Sequence, residues 1–217
     1  MSDVTAEALI SIAHQYYPVG FPPETDTFTH APDPYQQTPE YRRWQDAWAK
    51  AIEAEPWRAV LHDLRPRFPD LHFGTYTPAY MSGGYACILY LRRPRLDGRE
   101  GYRLIRVAAA ISLLAPLYFV YGTVEEVTPI PPEERVLWKR LNQNERFGRT
   151  QLVLRPSAEM QPYADVLARH VEHTFSHRPF PLELAQVAIP DARVPYLNLE
   201  PATLMNAFFF QDLSNLV

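Results

Sequence analysis

Apolar positions along this chain change their period twice. Ala6, Leu9, Ile10 and Ala13 recur at helical spacing within residues 2–17. A proline-rich, aperiodic stretch follows from Tyr17 to Glu40. Tyr41, Trp44, Trp48, Ala51 and Ile52 then resume the helical spacing. Thr38 is a good N-cap for that helix, with Pro39 at its first position. Glu55-Pro56 marks a boundary, because a residue before proline avoids the α region. A second helical piece, PWRAVLHDL, carries Trp57, Val60, Leu61 and Leu64 and is stopped by Pro66.

The middle of the chain reads differently. LHFGTYT, YACILYLRR, YRLIRVAAAISLL and PLYFVYGTVEEV are four strand-like runs in succession, with no helix between them. Such an order implies an antiparallel meander. The Gly-Gly pair of MSGGYA reads as a hairpin turn, and Asp97-Gly98 as the turn after it. The third and fourth runs are apolar at nearly every position, which predicts a sheet covered on both faces. Further on, PPEERVLWKRLNQNERFG begins a helix, TQLVLRP is a short strand, and helices are expected over 158–176 and near 201–210. The fold class is α+β: a central antiparallel β-meander of four or more strands packed by N- and C-terminal helices. It is read as one domain over 1–217, with a helical part at 1–66 that contains the Pro-rich loop at 17–40. The meander occupies 70–127 and a mixed helix/strand part 131–217.

Composition narrows the function classes. A net charge of −4 argues against a dedicated nucleic-acid binder. The one basic stretch, RRPRLDGREGYRLIR, is interrupted by Asp97 and Glu100 and reads as a solvated turn. With 22 prolines against 8 glycines, the chain contains neither GxGxxG nor GxxxxGK[ST], so the common phosphate-cradling loops are absent. Cys87 is the only cysteine and sits in an apolar run, where a thiol acts as a small buried hydrophobe. The N-terminus lacks a basic region ahead of an apolar one, so no secretory signal is expected. The longest apolar run contains Pro116 and falls short of the roughly 18–20 residues that a membrane span requires. A reducing cytoplasm is the expected location.

Three histidines lie in LARHVEHTFSHRPFP. His170, His173 and His177 share a helical sector, but His170 and His177 are about 10 Å apart along a helix axis, too far to ligate one ion together. A pair, His173 with His177, is the metal alternative. The reading that needs no ligand is a helix end, where histidines favour the dipole before Pro179. Glu125-Glu126 and Glu133-Glu134 flank Pro129 to Pro132 and read as a surface linker between the meander and a helix; if the strand persists, Glu125 and Glu126 point to opposite faces and do not converge on one substrate. Ser82 lacks the G-x-S-x-G elbow of an exposed nucleophile. No catalytic constellation is complete, and no cofactor is implied. Tyrosine, tryptophan and arginine dominate binding hot spots, and loops carry function on rigid scaffolds. The partner-binding candidates are therefore Tyr35, Tyr80, Met81 and Arg95, whereas Trp44, Trp48 and Trp57 read as core.

The C-terminal order of YADVLARHVEHTF, PFPLELAQVAIPDARVPYLNLE and ATLMNAFFFQDLSNL resembles the ends of some cytoplasmic immunity proteins of bacterial polymorphic toxin systems. The likeness covers about the last 60 residues and rests on general pattern; those families share no fixed binding signature to carry over. It implies a non-catalytic antagonist whose partner is a protein, a toxin or effector domain; charge and the length of the apolar runs already argue against nucleic acid and membrane as partners. The alternatives are a metal-dependent enzyme using His173 and His177, or a structural subunit of a larger assembly.

Overall fold

Five strands pair in chain order in the computed structural model, which describes residues 4–21, 33–92, 102–127, 148–197 and 201–210. These are β1 (His72–Tyr76), β2 (Gly84–Arg92), β3 (Tyr102–Ser112), β4 (Leu117–Val127) and β5 (Gly148–Val153), each antiparallel to the next. A two-residue β6 (Arg178–Pro179) lies parallel to the start of β4, on the side where β5 pairs with its end. The helices are α1 (Ala6–Ala13), α2 (Pro39–Ala54), α3 (Pro56–Leu64), α4 (Gln161–Phe175) and α5 (Leu204–Phe208). The α+β class and the meander follow the apolar pattern. The helix expected from Pro131 and the Asp97-Gly98 turn lie outside the described residues.

Local chemistry explains where the helices start and stop. Thr38 Oγ1 accepts the Tyr41 backbone N–H at 3.2 Å and Pro39 occupies the first turn of α2. Tyr41, Trp44, Trp48 and Ala51 form its buried stripe, while Ile52, on the last turn, is 40% exposed. Glu55 takes a left-handed conformation (φ 44°), so the chain breaks between α2 and α3. α4 stops at Phe175, with Ser176 left-handed (φ 55°) as its C-cap. His177 is therefore not on the helix.

Register sorts the sheet's two faces. Tyr85, Cys87, Ile105, Val107, Ala109 and Tyr118 share one face, since Cys87 pairs with Ala109 and Ile111 with Tyr118. α3 and α4 cover this face. Trp57 packs its ring edge-on to Tyr85, and Tyr118 donates to Glu172 at 2.5 Å. Gly122 lies against the Met160 thioether at the foot of α4, which a Cβ there would displace. Ala86, Ala110, Phe119 and Tyr121 point to the other face, which α5 and the residues after it cover through Phe119–Phe209 and Tyr76–Phe210 ring contacts. Burial on both sides accounts for the nearly unbroken apolar run of β3 and β4. α1 packs on α5, so residues from Leu9 to Phe210 belong to one contiguous core.

Candidate functional site

The loop joining β1 to β2, Thr77 to Gly83, is tied to distant parts of the chain. Ser82 anchors it. Its carbonyl accepts two indole N–H groups, from Trp44 at 3.1 Å and from Trp48 at 2.6 Å. Those two bonds fill both lone pairs of one buried oxygen. The Ser82 hydroxyl donates to the Gly84 carbonyl at 2.7 Å and the residue is 4% exposed, so it has no role as a nucleophile. Trp44 and Trp48 are core, as the sequence predicts, and their polar edges also fix this loop.

Gly83 is required by proximity. A Cβ there would run into the Ala207 carbonyl at the end of α5, and one on Gly84 would meet the Ile111 carbonyl. Neither glycine has a positive φ. The expectation that this pair supplies the hairpin turn is corrected accordingly: the glycines let three backbone segments close on each other. Ala207 O also accepts the Tyr17 hydroxyl at 2.7 Å. Burial raises the Tyr17 pKa far above its ordinary value, which keeps that hydroxyl a donor. N-terminal chain, loop and C-terminal helix thus meet at one carbonyl.

The turn itself is made by Tyr80. Met81 N–H donates to Pro78 O at 2.9 Å, closing a four-residue turn, and Tyr80 in its third position has φ 58°. Type II turns keep that position for glycine; a bulky residue there is an outlier. Tyr80 is 38% and Met81 50% exposed. The Tyr80 ring leans on Trp48, centroids 6.3 Å apart. Two of the four residues expected to bind a partner therefore sit side by side at the tip of an anchored loop.

The other expected residues are elsewhere. Tyr35 is 2% exposed, edge-on to Tyr41 with the Arg193 guanidinium over its ring at 5.6 Å, so it offers no surface to a partner. A single 3-10 turn between Asp33 and Thr38 folds it inward. Arg95 lies outside the described residues. His173 is exposed on α4, and His177 Nδ1 bonds to the Phe175 carbonyl at 2.9 Å. A carbonyl only accepts, so Nδ1 carries the proton. His170 packs toward α3, 3.8 Å from Asp63, and burial lowers its pKa despite that carboxylate. Among the described residues no three His, Cys, Asp or Glu side chains gather as metal ligands do. Cys87 is fully buried and burial pushes its thiol up to about 12, the opposite of a reactive thiolate.

One polar cluster was not anticipated from sequence. Arg106 of β3 and Glu125 of β4 form a 2.6 Å ion pair with both side chains about five-sixths buried, and the Arg106 guanidinium lies over the Tyr90 ring at 5.7 Å. Glu126 points the opposite way, toward Arg103 at 4.0 Å, as adjacent strand positions must. Glu125 and Glu126 are strand residues, not a surface linker. The pair spans neighbouring strands, and only the register brings Arg106 level with Thr123, one position on the same face from Glu125. That register is not written in either strand alone.

No helix of the described residues is long and apolar enough to cross a membrane. Compared with family models, with curated proteins and with solved structures, the chain finds no match in any of the three.

Proposed function

We propose that this chain is a non-catalytic protein-binding antagonist, an immunity-type protein that neutralises a toxin or effector domain in the cytoplasm. The observation that carries the reading is Tyr80, held in a left-handed turn and, like the neighbouring Met81, exposed. A non-glycine residue there costs about 1–2 kcal/mol, and backbone strain concentrates at ligand clamps and binding loops. Tyrosine is also among the residues that dominate protein interfaces. Three side chains weighed for chemistry are engaged otherwise: Ser82 with Gly84, Glu125 with Arg106, and Cys87 by burial.

The test is a paired capture from the source cells, with the wild-type chain and a Tyr80→Ser/Met81→Ser variant as baits of equal thermal stability. A stoichiometric protein partner held by the wild type and lost by the variant is the expected result. The same partner retained by both baits at equal yield removes Tyr80 and Met81 from the interface and ends this reading of the site.

A further inference from the structure

We propose that Trp48 is a positioning residue that holds Tyr80 in its left-handed, outward-facing conformation, so that the loop tip is presented pre-formed. The inference rests on the binding role given to Tyr80 above, but its test does not. Three observations converge on Trp48. Its indole N–H makes the shorter of the two bonds to Ser82 O, 2.6 Å against 3.1 Å from Trp44. Its ring is the one that Tyr80 rests on. It is itself wholly buried on α2, a 16-residue helix capped at Thr38 and pinned nearer its N-terminus through the Tyr35–Tyr41–Trp44 ring contacts.

The mechanics follow from the chain's own geometry. Ser82 is two residues beyond Tyr80. Fixing its carbonyl from the α2 side, while Gly83 is wedged under Ala207, leaves the turn between Pro78 and Met81 little freedom to relax. A free tyrosine leaves the left-handed region readily, since its Cβ is crowded there. Held by two indoles and one ring contact, it stays. Rigid presentation of an anchor lowers the ordering cost of association, which is how a pre-formed loop gains affinity. Both tryptophans help anchor Ser82, and Trp48 also touches Tyr80.

Hydrogen exchange on the free chain tests this directly, because the Met81 amide donates the bond that closes the turn. Its protection is read against the Val107 amide in the centre of β3. Trp48→Phe keeps an aromatic ring and loses the N–H. The expected result is Met81 exchange faster by about tenfold with Val107 unchanged, local opening without global unfolding. Trp44→Phe, which loses only the longer, 3.1 Å bond to the same carbonyl, is expected to change the Met81 rate less. Equal effects of the two tryptophan variants on Met81, or no effect of Trp48→Phe, would make Trp48 ordinary core and overturn the proposal. These outcomes are read without any partner, so failure of the positioning role and failure of the antagonist reading are separate results.

Discussion

Gly83→Ala is the sharpest single perturbation of this structure. The added Cβ meets the Ala207 carbonyl, backbone against backbone, so no side-chain rotation relieves the overlap. Two costs combine. Forcing extra volume into a packed interior costs about 1–3 kcal/mol. Displacing Ala207 also strains or breaks the 2.7 Å bond from the Tyr17 hydroxyl, and a buried polar group left unmade costs about 1–3 kcal/mol more. The sum, about 2–6 kcal/mol, is a large share of the roughly 5–15 kcal/mol that holds a domain folded. A chain of this length loses about 2–4 °C of Tm per kcal/mol, so a fall of roughly 5–20 °C is expected. Urea denaturation followed by tryptophan fluorescence measures it, since the indoles of Trp44 and Trp48 bond to the residue next to Gly83. Tyr17→Phe is the companion variant. Because both changes act on the Ala207 carbonyl, the double variant should lose less than the two single losses added together, by at least about 0.5 kcal/mol. A Gly83→Ala loss under about 0.5 kcal/mol, or strict additivity with Tyr17→Phe, would refute the three-way contact.

Two further outcomes follow from the buried titratable groups. Cys87, fully buried with its thiol pushed up to about 12, should resist a disulfide reagent such as DTNB at pH 8 and react only as fast as the chain unfolds; rapid labelling of the folded protein would contradict its burial. His170 has its pKa lowered, chiefly by burial, so the folded chain binds its proton less readily than the unfolded chain. The stability that its neutral form contributes is whole above the unfolded value near 6.5 and is lost as pH falls below that value. Comparing denaturation at pH 7.5 and pH 5.5, His170→Gln should lose less stability on acidification than the wild type, and an equal loss would place the sensitivity elsewhere.

The sequence by itself determined what is local. Thr38 and Pro39 start a helix, Glu55-Pro56 breaks one, and the apolar runs from His72 to Val127 become strands, because caps, fixed proline geometry and side-chain period act over a few residues. The burial of Trp44, Trp48 and Cys87 was legible for the same reason. At the candidate site, Tyr80 and Met81 were marked by residue type and loop position, whereas Tyr35, marked in the same way, proved buried. Composition cannot tell a loop tyrosine that packs inward from one that faces out. Only the tertiary structure decided that Ser82 and Gly83 form a junction, since their partners Trp44, Trp48 and Ala207 lie 38, 34 and 124 residues away (82 − 44, 82 − 48 and 207 − 83). The Arg106–Glu125 pair likewise waits on a strand register, and the left-handed φ of Tyr80 on an anchor two residues beyond it. Local rules choose elements; contacts between distant segments choose which side chain is trapped, paired or presented, because those contacts exist only after the chain has closed on itself.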